Sequence, residues 1–155
     1  MDIYKQFPGG ITKLEAAPKR HPSSIMSLHS TKQGGRNARN SKRSQAEIVG
    51  DVILKGKRQF WDQSNQHYHQ GMRAGENTLN AHCARATMRT LAANGGHYNE
   101  DMFLDAYIEL MIADPALHPD TYAESYHRGF FANLSAGKNR NKCGAVTHDT
   151  ASIGG

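Results

Sequence analysis

The sequence predicts an all-α fold. Two observations carry this expectation: three stretches have apolar residues at helical spacing, and short connections marked by Gly, Asn and Pro join them.

The first stretch runs from Glu76 to about Asn94, with Leu79, Cys83, Ala86 and Thr90 on one face and Met88 and Leu91 beside it. Gly95-Gly96 is a suitable stop, because glycine adopts the left-handed conformation that ends a helix. The second opens at Asn99, a good N-cap, followed by Glu100 and Asp101, whose charges suit the positive end of the helix dipole. Phe103, Ala106, Tyr107, Leu110 and Met111 then form its stripe, and Asp114-Pro115 ends it. The third is expected to start at Pro119-Asp120-Thr121 and to close at Gly137. Tyr122, Ala123, Tyr126, Phe130 and Leu134 are its apolar face. The aromatics Tyr107, Tyr122, Tyr126, Phe130 and Phe131 read as core rather than as a ligand cage.

Residues 1–60 read differently. Pro8-Gly9-Gly10, Pro18 and Pro22 break helices. Residues 31–46 are polar, without apolar periodicity, and are expected to be a disordered loop. Ile48, Val49, Val52, Ile53 and Leu54, interrupted by Gly50-Asp51, suit a short strand or an extended piece lying on a helical core. Charge divides in the same way: residues 1–60 carry 12 Lys/Arg against 4 Asp/Glu, and residues 61–155 carry 7 against 10. The expected organisation is an irregular basic segment over 1–60 and a helical part over 61–155. Three helices with a long polar arm are too few to enclose a sizeable core.

The first eight residues lack the apolar core of a secretory signal, and no apolar run reaches membrane-spanning length. Cys83 and Cys143 stand far apart without CxxC pairing, which suits a reducing compartment. A cytoplasmic protein without membrane partners is the expectation. The basic arm, with Lys32, Arg36, Arg39, Lys42 and Arg43, has no interleaved aromatics. It offers phosphate attraction but no stacking platform, and nucleic acid is not the expected partner. It also reads simply as a solvated loop.

Three clusters bear chemistry. Glu76, Asn77 and Thr78 put a carboxylate, an amide oxygen and a hydroxyl in consecutive positions at a helix start, a set that suits a hard cation such as Mg²⁺. The same residues suit an ordinary helix entry. His67 and His69 fall on one side of an extended chain, as metal ligands or as packing histidines. His148-Asp149-Thr150-Ala151-Ser152 has the composition of a hydrolytic triad, but neighbours in sequence are poorly placed to orient one another. With Ile153-Gly154-Gly155 it reads better as a loop that a ligand approaches closely. Asp120, Tyr122 and His127 have no assigned role.

Several blocks, in order, carry a family resemblance: Gly9-Gly10-Ile11-Thr12, His21-Pro22-Ser23-Ser24-Ile25-Met26-Ser27, Gly50-Asp51-Val52-Ile53-Leu54-Lys55-Gly56-Lys57, His67-Tyr68-His69, Ala74-Gly75-Glu76-Asn77-Thr78-Leu79-Asn80, Asp120-Thr121-Tyr122-Ala123-Glu124-Ser125-Tyr126-His127-Arg128, and His148 to Gly155. Together they resemble a branch of the ADP-ribosylglycohydrolase family close to the J-type crystallins. The resemblance implies an all-α domain with two Mg²⁺ ions that hydrolyses the glycosidic bond of ADP-ribosyl groups. It makes an ADP-ribosylated substrate or ADP-ribose the partner. Gly75-Glu76-Asn77-Thr78 looks like the family's first metal motif, Thr-Asp-Asp-Thr. On that match Glu76, Asn77 and Thr78 are metal ligands and Glu76 is also the catalytic carboxylate. Gly75 replaces a hydroxyl, and Asn77 replaces a charge. The last loop resembles the family's substrate-facing loop, which assigns His148, Asp149, Ser152 and Gly154 to substrate binding.

The family's N-terminal helix would lie before Met1, and its second metal motif after Gly155. The resemblance therefore implies an internal piece of the domain, inactive by itself. A non-catalytic, crystallin-like relative is the alternative, and a basic helical nucleic-acid-binding module ranks third.

Overall fold

The computed structural model describes residues 48–60, 69, 71–73 and 75–145. These residues form an all-α structure. Helix α1 spans Leu79–Ala93, α2 spans Glu100–Ile112 and α3 spans Ser125–Ser135, with 3-10 turns at Arg58–Phe60 and Arg140–Lys142. Helices α1 and α2 pack together, and the second 3-10 turn packs on α2. No strand occurs among the described residues. No helix among them is long and apolar enough to cross a membrane.

The helix ends follow local chemistry. Beyond α1, Gly95 has φ +63°, and the Gly96 N–H donates to the Leu91 carbonyl at 2.8 Å, a 6→1 closure that caps the last turn. Asn99 caps α2 through Oδ1, which accepts from the Met102 N–H at 3.0 Å, and Glu100 and Asp101 occupy the first turn. Helix α3 ends with Gly137 at φ +84° and Lys138 N–H donating to the Asn133 carbonyl at 3.1 Å.

Two starts lie later than expected. Helix α1 begins at Leu79 rather than Glu76, because a turn occupies the preceding residues. The Glu76 N–H donates to the Arg73 carbonyl at 3.1 Å, and Gly75 has the positive φ of +86° that such a turn uses. Helix α3 begins at Ser125 rather than near Asp120, because the Thr121 and Tyr122 N–H groups fold onto the Asp120 carboxylate.

One core joins all these parts. Ile48, Val49, Ile53 and Leu54 are buried in the same cluster as Leu79, Cys83, Leu104, Tyr107, Met111, Ala123, Phe130, Phe131 and Cys143. Full burial of a side chain such as Phe131 contributes roughly 2–3 kcal/mol. Tyr107 meets Phe130 edge-on at 5.2 Å between centroids and Phe131 at 5.6 Å, so the aromatic stripe is core, with Tyr122 half-buried at its margin.

The 48–54 run is neither a strand nor simply extended. It is a tight turn with one isolated bridge, Val49 to Ile53, and the Gly50 N–H donates to the Ile53 carbonyl at 2.7 Å. Gly50 has φ +90°, and a Cβ there would lie 2.7 Å from Arg58 Cβ. The turn therefore needs glycine on both counts. Met88, read as flanking the α1 stripe, is exposed.

The loop expected over 31–46, the basic arm and the blocks before residue 48 lie outside the described residues, as does His67. His148, Asp149, Ser152 and Gly154 do so too.

Candidate functional site

The entry to α1 is the best-defined polar centre. Thr78 stands at the N-cap with extended dihedrals, yet its side chain makes no capping hydrogen bond. The cap comes from elsewhere in the chain. Asp120 Oδ2 accepts from the Leu79 N–H at 2.7 Å, and Asp120 Oδ1 accepts from Thr121 N–H at 2.8 Å and Tyr122 N–H at 3.1 Å. His69 Nδ1 also lies 2.6 Å from Asp120 Oδ1.

Asp120 is buried. Burial opposes its charge, but the hydrogen bonds from His69 and the Leu79 and Tyr122 amides outweigh that and hold its carboxyl below the ordinary value. An ionised carboxylate at a helix N-terminus is also favoured by the dipole.

Lys57 supports the segment that carries Asp120. Its Nζ donates to the carbonyls of His118 at 2.5 Å and Asp120 at 2.6 Å. Burial lowers the Lys57 ammonium, and the charges of Asp120 and Glu76 work against that. His118 is buried, and neither ring nitrogen has a hydrogen-bond partner among the described residues. Burial, with Lys57 adding to it, brings His118 down to about 4.

Glu76, Asn77 and Thr78 lie together at this entry, the first two exposed and Thr78 half-buried. Glu76 Oε2 accepts from the Arg73 N–H at 2.7 Å, which closes the turn. An oxygen-only set open to water fits a Mg²⁺ ion that keeps part of its hydration shell. It fits weakly, because Glu76 supplies its only charge. Among the described residues no three His, Cys, Asp or Glu side chains are placed to hold a metal ion. His69, the described member of the sequence's histidine pair, is engaged by Asp120.

A second polar path ties the helices together. Tyr126 donates to Asn80 Oδ1 at 2.8 Å, and Asn80 Nδ2 donates to Glu124 Oε1 at 3.0 Å. Glu124 Oε2 lies 3.5 Å from His127 Nε2, a charge–dipole contact rather than a full hydrogen bond. His127 Nδ1 lies 2.6 Å from the Tyr107 hydroxyl. Burial pushes the Tyr107 phenol far up, so the hydroxyl keeps its proton and can donate to Nδ1 when the imidazole proton sits on Nε2, the nitrogen that faces Glu124. Tyr107 and His127 are buried. The order of groups resembles a proton relay, but its burial gives it an architectural role, joining α1, α2 and α3.

Asp120, Lys57, His118 and Glu124 are the residues that sequence reasoning did not place. Asp120 stood at the expected start of α3 with no assigned role, whereas in the structure its carboxylate caps α1.

Comparison of the chain with protein-family models, with curated proteins and with solved structures gave no match.

Proposed function

We propose that the α1 entry is a divalent-cation site of the ADP-ribosylglycohydrolase type, with Glu76, Asn77 and Thr78 as its oxygen ligands. On this reading the chain belongs to a Mg²⁺-dependent hydrolase of the glycosidic bond of ADP-ribosyl groups. One observation supports it above others: Asp120 caps the Leu79 amide, so the Thr78 side chain is not spent on capping. The buried Asp120 charge also offsets the positive helix end, which would otherwise repel a cation.

When bound, Mg²⁺ supplies a Lewis-acidic anchor for ribose hydroxyls. Glu76 would orient a water and take its proton through the carboxylate oxygen not held by Arg73, as the water oxygen bonds to the ribose carbon and the glycosidic bond breaks, and the protonated carboxyl would return that proton to the leaving group. Asn77 and Thr78 fix the cation through neutral oxygens. A single charged ligand makes binding weak, and hydrolysis requires a second acidic cluster that the described residues do not supply.

Mn²⁺, a paramagnetic substitute for Mg²⁺, provides the test. It is expected to broaden the amide signals of residues 76–80 before others, and E76Q is expected to abolish that broadening. Absence of selective broadening there would sink the cation site.

A second reading, a non-catalytic crystallin-like relative, is favoured by the Glu76–Arg73 contact, which gives the carboxylate a purely local job. Release of ADP-ribose from an ADP-ribosylated protein, lost in E76Q, would exclude it.

A further inference from the structure

We infer that the groove between α1 and α2 is a binding site for a small aryl phosphate monoester. The groove has a volume of about 430 Å³, within the range of small-molecule sites. It is separate from the α1 entry, and the inference does not depend on the hydrolase reading.

Arg85 and Arg89 line the groove one helical turn apart, so both reach the same region. Each guanidinium offers a planar fork of donors, which suits the several oxygens of a phosphate better than a lone carboxylate does. Neither arginine forms an ion pair among the described residues. Glu109 lines the same groove from α2 and is not paired with them. Two cations facing one carboxylate leave an excess positive charge.

Apart from the His82 imidazole on α1, the rest of the groove is apolar. Leu110 lines it from α2, and Leu117 from the following loop. Leu117 is 59% exposed, a large apolar side chain left in water beside two arginines. Ala86 and Ala106, also in the lining, are short enough to leave depth between the helices. Apolar walls and flat guanidinium faces suit an aromatic ring, and the arginine forks suit its phosphate. A purely inorganic anion would leave the apolar walls unused. A neutral aromatic would leave the arginines unused.

The test uses the chain with phenyl phosphate, inorganic phosphate and benzyl alcohol as probes, followed by amide NMR shifts. Phenyl phosphate is expected to shift the amides of residues 85–89 and 109–110, and to bind at least about tenfold more tightly than either other probe. R85Q and R89Q, at exposed positions, are each expected to weaken it about tenfold or more. E109Q, which removes a repelling charge, is expected to tighten it. Equal affinity for inorganic phosphate would reduce the groove to a non-specific basic surface and overturn the inference. So would unchanged binding in the R85Q/R89Q double variant, or no shifts at all.

Discussion

Asp120 Oδ2 accepts the Leu79 amide proton at 2.7 Å across 41 residues of sequence, so the first turn of α1 is held by a carboxylate from the segment before α3. That one carboxylate also organises the Thr121 and Tyr122 amides. It couples where α1 begins to where α3 begins.

Substitution at Asp120 is therefore expected to cost more than loss of an ordinary helix cap, which is worth about 1 kcal/mol. D120A leaves three backbone donors without their acceptor, each worth roughly 1–3 kcal/mol when buried. A loss of about 3 kcal/mol or more in urea denaturation is expected. T78A, at the nominal N-cap, is expected to cost under about 0.5 kcal/mol, since its hydroxyl caps nothing. Equal costs for the two variants would contradict the assignment.

Gly75 gives a second prediction. The Thr-Asp-Asp-Thr motif that this stretch resembles opens on threonine, but at Gly75 φ is +86°, a region that β-branched residues avoid. A Cβ at Gly75 would meet nothing within 4 Å, so any cost comes from the backbone and not from a clash. G75T is expected to lose roughly 1–3 kcal/mol in the same measurement. An unchanged or raised stability would mean that residue 75 does not hold the left-handed conformation.

Acid sensitivity follows from two buried imidazoles. Burial brings His127 to about 3, helped by the charges on His118 and Arg128, and His118 to about 4. In the unfolded chain both titrate near 6.5. Between pH 6.5 and about 4 the unfolded chain binds protons that the folded one refuses, so stability falls as pH falls. Each histidine contributes up to about 1.4 kcal/mol per pH unit in that window. Glu124 works in the opposite sense: burial raises its carboxyl, and its penalty fades as pH drops. Urea midpoints measured from pH 7 to pH 5 are expected to decline, with a shallower slope in H118L. An identical slope in H118L would remove His118 from the account.

What the sequence disclosed was local. The α2 cap at Asn99, the glycine stops at Gly95 and Gly137, and the apolar stripes are contacts within a few residues, and each left a pattern. The starts of α1 and α3 were misplaced because Asp120 acts across the fold. Its neighbours Pro119 and Thr121 suggest a helix beginning, and nothing nearby points to Leu79. Lys57 was hidden for the same reason, since its carbonyl partners lie more than 60 residues away. The 48–54 run suited a short strand or an extended piece on a helical core because most of its apolar residues are β-branched, but the positive φ of Gly50 and the Arg58 side chain packed over it turn the chain back on itself. At the candidate site, the cluster Glu76, Asn77 and Thr78 was visible, while the group that releases Thr78 from capping was not.

Amide hydrogen exchange at Leu79 tests the Asp120 cap most directly. Wild-type protein and T78A are both expected to show strong protection at that amide, and D120A is expected to lose it while amides in the middle of α2 stay protected. Rapid exchange at Leu79 in the wild type, or loss of its protection in T78A, would contradict the account.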